Sequence, residues 1–189
     1  MFAAMQKLVL YLTILVTTIA CRQGGKENAA KVMDFGEFTI QTPGHWNRMI
    51  LHGIDSYVGA IVIDSTDTLM FDLGWYSNDL TEYMEVIMSD GKTYYISNYD
   101  TAYNPTLFDS ANRDKVVKSH ISWDTIDGRR AKIVSPIKPG IGITGIYIDS
   151  LWESGSGNDR FNLYGKDLKP TNEKAVLEAL RTLKFKKPG

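Results

Sequence analysis

The sequence VVKSHISWDTIDGRRAKIV, at residues 116–134, is the part of this chain that most clearly predicts its fold. Two runs with strand composition, residues 116–123 and 129–134, flank the dipeptide Asp127-Gly128. Asp-Gly suits a two-residue hairpin turn because both of its positions tolerate positive φ angles. The stretch therefore predicts an antiparallel β-hairpin.

Further strand patterns lie on both sides of this hairpin. Phe38 and Ile40 alternate with polar neighbours, which predicts a first strand over residues 36–41. Three more runs follow in quick succession and predict an antiparallel meander. The remaining strand candidates are separated by turn residues. In chain order, the predicted strands after the first are residues 48–52, 57–64, 68–73, 92–99, 145–151 and 160–164, together with the two strands of the hairpin.

Two segments have helical spacing instead. In residues 78–88, Leu80, Met84 and Ile87 share one face, and Asn78 could cap the helix. A second helix is predicted from Thr171, with an apolar stripe that includes Val176, Leu177, Leu180 and Leu183. Residues 101–113 are expected to form a loop or a brief helix. The chain is therefore predicted to be an α+β domain, with an antiparallel sheet of about 6–8 strands, a C-terminal helix and one further helix.

The first residues have the pattern of an export signal. Lys7 precedes an uncharged apolar run, residues 8–20, which ends directly before Cys21. A positive start, a short apolar region and a small residue before the cleavage point are typical of secretory signals. A transmembrane helix needs roughly 20 apolar residues, so the run is too short to span a bilayer.

Cys21 is the chain's single cysteine and lies at the first position after the expected cut. A free thiol would be exposed to oxidation in an exported protein, so we interpret Cys21 as the lipidation site of a bacterial lipoprotein. Residues 1–20 are then the signal peptide, residues 21–32 a flexible tether and residues 33–189 a single domain. Arg at position 22, where Asp would favour inner-membrane retention, indicates the outer membrane, with its periplasmic or surface face left open.

Charge excludes one class of partner. The formal net charge is −1, and acidic and basic residues are interspersed along the chain. Binding to nucleic acid would require a basic face, so we expect no nucleic-acid partner.

Three motifs are found along the chain: Phe38-Thr39-Ile40 with Pro43 and Trp46 near the start, Gly128-Arg129-Arg130-Ala131 on the hairpin, and Leu183-Lys184-Phe185 at the end. Together they resemble the PsbP-like proteins. The resemblance implies an antiparallel sheet packed between helices and a non-enzymatic binding or assembly role, as in a superfamily whose bacterial members include many exported lipoproteins. It implies no cofactor here, since no residue of this chain matches the metal or photosystem contacts of the photosynthetic members.

Residues 140–145 read GIGITG and satisfy the G-x-G-x-x-G pattern of dinucleotide-binding loops. That pattern works only where a strand ends and a helix begins. Pro136 and Pro139 come before it, and β-branched and aromatic residues follow it. We interpret it as a glycine-rich loop that leads into a strand.

His45, His52 and Asp55 are weak candidates for a metal site. Two imidazoles and a carboxylate could hold zinc with one open position, which would suit a metal-dependent hydrolase. A turn at His45 and a strand end at His52 would place the two histidines far apart, so no metal site and no catalytic residue are predicted. Asp64 and Asp67 fit backbone hydrogen bonding in a turn better than acid–base chemistry.

Aromatic residues form the candidate binding surface, which consists of Trp75, Tyr76, Tyr95, Tyr99 and Tyr103. Such side chains offer a large contact area with a polar tip and could bind a protein or stack on a sugar ring. They are also common in half-buried strands, which is the simpler interpretation.

The sequence as a whole predicts a lipid-anchored, non-enzymatic binding or assembly-accessory domain of the bacterial cell envelope. Its expected partners are the membrane, through the N-terminal lipid, and an envelope protein or a glycan. The alternatives are the hydrolase built on His45 and His52, and a glycan-binding module that uses the tyrosine surface.

Overall fold

A computed structural model describes residues 29–98 and 105–186. The expected signal peptide, Cys21 and most of the expected tether lie outside these residues. Within them no helix is long and apolar enough to cross a membrane.

The described residues form strands arranged in antiparallel sheets, with one α-helix and one 3-10 helix. The strands are β1 Ala30–Asp34, β2 Phe38–Pro43, β3 Asn47–Ile50, β4 Tyr57–Val62, β5 Thr68–Gly74, β6 Tyr83–Ile87, β7 Thr93–Ser97, β8 Ser119–Ile126, β9 Arg129–Pro136, β10 Ile143–Ile148, β11 Glu153–Ser154, β12 Gly157–Asn158, β13 Arg160–Lys166 and β14 Lys184–Phe185. The 3-10 helix is Ser110–Lys115, and the α-helix, α1, is Pro170–Leu180.

The largest sheet has seven strands in the order β3-β4-β5-β13-β10-β9-β8. A smaller sheet, β1-β2-β14, and helix α1 cover one of its faces, called here the inner face. The predicted mainly antiparallel α+β architecture with a C-terminal helix is confirmed. The expected meander is also confirmed, as β3, β4 and β5 pair in succession.

The hairpin at residues 116–134 forms as predicted, with β8 paired to β9. Its turn residues Asp127 and Gly128 have φ angles of 49° and 75°. The Asp127 carboxylate accepts a hydrogen bond of 2.9 Å from the Phe185 N–H, which ties the turn to β14. This hydrogen bond is the main reason that the pKa of Asp127 is lowered. The charges of Lys184 and Arg129 lower it further, while burial opposes the shift.

Aromatic side chains dominate the core between the two sheets. Phe38 is completely buried, and its ring lies 4.7 Å from that of Phe35, 5.0 Å from that of Phe71 and 4.9 Å from that of Phe161. These rings belong to different sheets, so their burial holds the small sheet against the large one. A fully buried phenylalanine contributes about 1.5–3 kcal/mol through removal of apolar surface from water.

The predicted helix over residues 78–88 is wrong. Residues 83–87 form β6, which pairs with β7. Ahead of it, Leu80 has a φ of 61°, which no α-helix accommodates. Tyr83, Val86 and Ile87 are good strand formers, and the cross-strand pairing outweighs a helical spacing of only three apolar residues. The other helix is the short 3-10 helix Ser110–Lys115. It lies partly within residues 101–113, which were expected to form a loop or a brief helix, and extends two residues beyond them.

Residues 77–81 instead lie across the outer face of the seven-stranded sheet. Leu80 is buried there against Val134 and Tyr147. The buried Lys132 side chain donates hydrogen bonds of 2.7 Å to the Asp79 carbonyl and 2.8 Å to the Thr81 hydroxyl. Burial of a lysine is tolerated only with such partners, so this segment forms part of the fold.

The sheet region begins at Ala30, three residues before the expected domain start at Met33. Met33 pairs with Ile40 in the β1–β2 ladder and is buried. Residues 30–32, assigned from composition to the tether, form the first part of that same ladder because β2 supplies their hydrogen-bonding partners.

Candidate functional site

The predicted aromatic surface is divided between two places in the structure. Trp75 and Tyr76 follow the end of β5, whereas Tyr95 lies in β7. Tyr99 and Tyr103 lie outside the described residues, so nothing in the structure bears on them. A single surface with Trp75, Tyr76 and Tyr95 side by side is not formed.

Trp75 and Tyr76 line a shallow cleft of about 430 Å³, called here the tryptophan cleft. Trp75 is 39% exposed and Tyr76 is 77% exposed. The acidic residues Asp55 and Asp159 lie in the same lining. The cleft therefore combines two accessible aromatic rings with two carboxylates.

The small hairpin β11–β12 supports the Trp75 ring. Added Cβ atoms would lie 3.3 Å from this ring at Gly155 and 3.7 Å from it at Gly157. Gly155 and Gly157 thus bring their backbone against the indole. Nearby, the Trp152 Nε1–H donates a hydrogen bond of 2.8 Å to the Asp159 carboxylate, which positions that acid.

Tyr95 is half-buried in a different cluster, beside the 3-10 helix. Its backbone pairs with that of Phe108, with N···O distances of 2.8 and 2.9 Å. The Arg113 guanidinium carbon lies 5.5 Å from the centre of its ring. For this tyrosine, the interpretation as a half-buried strand residue fits the structure.

A larger open groove, about 750 Å³, lies next to that cluster and was not predicted from the sequence. We call it the basic groove. Its lining consists of Ser110, Ala111, Arg113, Asp114, Lys115, Val117, Lys118, Ile137, Lys138 and Ile141. Four of these residues are cationic and one is acidic. Little in the sequence indicated this groove, because its cations lie in two stretches, residues 113–118 and Lys138, that are 20 residues apart. Acidic or proline residues lie near the cations in both stretches.

A backbone hydrogen bond brings the two stretches together, as the Ile137 N–H donates to the Lys118 carbonyl at 2.8 Å. Within the second stretch, the Ile141 N–H donates to the Lys138 carbonyl at 3.1 Å and closes a turn. Val117 is buried and anchors the other wall. Ile137 and Ile141 are each 47% exposed, so the groove presents apolar surface between its cations.

The three lysines of the groove form no close ion pair with the described residues, although Asp114 lies in the lining and Lys115 interacts electrostatically with Asp109. Among residues 29–98 and 105–186, no carboxylate oxygen lies within 4.0 Å of the ammonium groups of Lys115, Lys118 or Lys138. This part of the surface therefore has a positive potential and some apolar character, which together suit an acidic ligand with apolar groups.

The glycine motif at residues 140–145 leads into β10, as expected. Its amides are already bonded within the protein. Gly140 N–H donates to the Glu173 carboxylate at 2.6 Å, and Gly142 N–H donates to the Asp167 carboxylate at 2.8 Å. Carboxylates therefore occupy the donors that a phosphate would need.

The weak metal candidates do not converge. His45 precedes β3 and His52 follows it, so the extended strand Asn47–Ile50 separates the two histidines. Asp55 lies in the tryptophan cleft. In the described part of the chain, no group of three or more His, Cys, Asp or Glu residues could hold a metal ion.

Asp64 and Asp67 act in a turn, in line with the interpretation from the sequence. Asp64 accepts hydrogen bonds from the Thr66 and Asp67 N–H groups at 2.9 and 3.0 Å. Asp67 accepts one of 2.8 Å from the Lys169 N–H at the start of α1. Both carboxylates also accept from the Asn172 amide, so the pair fastens the helix to the β4–β5 turn.

Comparison with known proteins adds no relative. No family model matches the sequence. No curated protein and no solved structure matches it either.

Proposed function

We propose that this chain is a lipid-anchored, non-enzymatic binding domain of the bacterial cell envelope, of PsbP-like character, which holds an acidic segment of a partner protein in the basic groove. The observation that carries the proposal is the groove itself. It places four cationic residues around exposed isoleucines in a volume of about 750 Å³.

Charge and shape both favour a protein segment as the ligand. Lys115, Lys118 and Lys138 would pair with acidic side chains, while Ile137 and Ile141 would contact apolar ones. Interfaces of this kind are guided by electrostatic complementarity and stabilised by a few apolar anchors. The contact should weaken as salt is added, because exposed charges are screened over about 10 Å at 0.1 M ionic strength.

The envelope location rests on the sequence. The signal-like residues 1–20 and the single Cys21 support a lipid anchor. Support for PsbP-like character comes from the three sequence motifs. The structure shares with the expected architecture an antiparallel sheet and a C-terminal helix, but among the described residues there is no second α-helix to enclose the sheet. An anchor of this kind would hold the basic groove close to other envelope proteins.

The anchor can be tested by the intact mass and detergent partitioning of the full chain expressed in a bacterial host. We expect the wild-type mass to be increased by acyl chains and the protein to partition into detergent. The Cys21→Ala variant should remain unacylated and lose this partitioning. A wild-type protein that is unmodified, or that retains residues 1–20, would contradict the proposed anchor.

The groove can be tested by photo-crosslinking in cells, with a photoreactive amino acid at Ile141. We expect a discrete adduct with an envelope protein. The double variant Lys115→Glu/Lys138→Glu should reduce its yield on the order of tenfold, because charge reversal repels an acidic partner.

Two controls make this experiment specific. Ile54 is fully exposed away from the groove, and the same photoreactive group there should give no discrete adduct. Lys92→Glu changes an exposed lysine elsewhere and should leave the Ile141 adduct intact. Equal adducts from both positions, or a yield unaffected by the double reversal, would show that the groove is not the binding site.

The tryptophan cleft favours a second candidate function, glycan binding. Aromatic faces stack on sugar rings, and carboxylates accept hydrogen bonds from sugar hydroxyls. Trp75, Asp55 and Asp159 provide both kinds of group within one cleft.

This second function can be tested by titration with a panel of cell-wall oligosaccharides, followed by tryptophan fluorescence or NMR. If one binds, Trp75→Ala should raise its Kd roughly tenfold, because the stacking surface is lost. Trp123→Ala is the matched control, since Trp123 is 51% exposed on β8. Equal weakening by both variants, or no binding of any oligosaccharide, would exclude the cleft as a sugar site.

A further inference from the structure

Strand β8 is a long edge strand with little protection. It spans the eight residues of Ser119–Ile126 and pairs with β9 on one side, while no other described strand pairs with its outer side. Residues 120–125 are all exposed. Proteins usually shield edge strands by keeping them short or by adding charged side chains, Pro or bulges, and of these β8 has only the charge of Asp124. The opposite edge, β3, follows this rule, since it has four residues and carries Arg48.

The position of Pro136 shows which backbone groups of β8 face outward. Ser119 lies opposite Pro136, and proline has no N–H, so this must be a non-hydrogen-bonded pair. Hydrogen-bonded and non-hydrogen-bonded pairs alternate along an antiparallel ladder. The N–H and C=O groups of Ser119, Ile121, Trp123 and Thr125 therefore point away from β9, toward the open edge.

The sequence of this edge is complementary to itself. An antiparallel copy of β8 centred on Ser122 would place Ile121 opposite Trp123, His120 opposite Asp124 and Ser119 opposite Thr125. The two exposed apolar residues, Ile121 and Trp123, then meet each other, and no like charges face each other. The outward backbone groups also match, because Ile121 and Trp123 both present theirs to the same edge.

We propose that β8 pairs with β8 of a second copy of this chain, antiparallel and about a two-fold axis at Ser122, which joins the two seven-stranded sheets into one continuous sheet. Such pairing is isologous, as in most homodimers. It gives partners to the outward N–H and C=O groups of Ile121 and Trp123 at the centre of the strand, whereas the Thr125 N–H already donates to the Asp124 carboxylate at 2.7 Å. It also covers Ile121 and Trp123, which are 45% and 51% exposed in the single chain.

Side chains beside the strand fit this arrangement. The Arg130 guanidinium carbon lies 3.8 Å from the centre of the Trp123 ring, so the indole is held in one orientation on the outer face. On the inner face, Asp124 lies 3.6 Å from the Arg181 side chain. The partner's His120 would approach a carboxylate that is already positioned. The proposal does not depend on the function of the basic groove.

Cysteine scanning on the full chain tests the proposed register. Ser122→Cys would lie opposite its own copy in a non-hydrogen-bonded pair, where Cα atoms are about 4.5 Å apart. This distance falls within the range that a disulfide spans. Under mild oxidation we expect a disulfide-linked dimer, with a yield on the order of ten times that of Ser119→Cys, whose two copies would be six residues apart along the strands.

One mixed sample and a background sample complete the scan. Ser119→Cys mixed with Thr125→Cys should give a crosslinked heterodimer, because these residues face each other in the proposed register. The wild-type chain, with Cys21 alone, gives the background. Equal crosslinking at Ser119 and Ser122, or none above background, would overturn the proposed pairing.

Sedimentation of the full chain in detergent provides a second measurement that does not depend on cysteine. Ile121→Pro removes an N–H that faces the open edge and not β9. The single chain should therefore keep its fold, just as strand β9 accommodates Pro136. We expect the wild type to sediment as a dimer and the variant as a monomer. Circular dichroism should show that the variant is folded. A wild-type monomer, or a folded variant that remains dimeric, would refute the proposal.

Discussion

Phe38→Ala should lower the free energy of unfolding by about 3–5 kcal/mol, the range for loss of a fully buried aromatic side chain. The side chain is 0% exposed, so its removal leaves a cavity in the middle of the core. Its ring also contacts those of Phe35, Phe71 and Phe161, which come from three separate segments. The cavity would loosen the small sheet from the large one.

Urea denaturation followed by circular dichroism measures this effect. Tyr76→Ala is the control, because this aromatic side chain is 77% exposed and should contribute less than about 0.5 kcal/mol. If Phe38→Ala cost no more than Tyr76→Ala, the packing of β2 against the seven-stranded sheet would be incorrect.

Asp67→Ala should lower the free energy of unfolding by about 2–3 kcal/mol, because it removes charged hydrogen bonds from a buried position. Asp67 is 6% exposed and accepts hydrogen bonds of 2.8 Å from the Lys169 N–H and from the Asn172 amide. Without its carboxylate, the start of helix α1 loses a partner for its N–H group and its link to the β4–β5 turn.

The effect of pH provides an independent check on this pair of acids. Burial would raise the pKa of Asp67, but the hydrogen bonds from Asn172 and Lys169 outweigh it and the pKa is lowered. The pKa of Asp64 is lowered mainly by hydrogen bonds from the Thr66 N–H and the Asn172 amide. Groups with a lowered folded pKa stabilise the protein above their unfolded pKa of about 3.9, and this stabilisation is lost as the pH falls through the folded value.

Unfolding measured at pH 7 and again below about pH 4 should therefore show a smaller gap between wild type and Asp67→Ala in acid. Asp90→Ala is the control, since Asp90 is exposed and its contacts are an ion pair of 3.5 Å with Lys92 and a turn hydrogen bond of 3.0 Å from the Lys92 N–H, so the change should cost less than about 1 kcal/mol. A gap that stayed constant with pH would show that the Asp67 carboxylate does not carry the contact.

Elements whose signals are local were predicted well. The Asp127-Gly128 turn forms with the positive φ angles expected of it, and strand β10 follows the glycine motif. Helix α1 begins one residue before the expected Thr171. In each case the deciding interactions are between residues close in the chain, so composition and spacing contain the information.

Segments whose structure depends on distant partners were predicted poorly. Residues 78–88 have helical spacing, but Lys132, more than 50 residues away, holds Asp79 and Thr81 on the sheet. The candidate site shows the same pattern. Trp75 and Tyr76 were identified as a pair from adjacent positions, whereas the basic groove requires Lys118 and Ile137 to meet through a backbone hydrogen bond.

The sequence by itself therefore determined the fold class, the central hairpin, the C-terminal helix and the turn role of Asp64 and Asp67. Turn chemistry and hydrophobic alternation act within a few residues, and the chain carries them directly. Only the tertiary structure decided the strand order β3-β4-β5-β13-β10-β9-β8, the basic groove and the open edge at β8. These features arise where segments far apart in the chain pack against one another, and many pairings are compatible with the same local pattern until burial of a common core selects one.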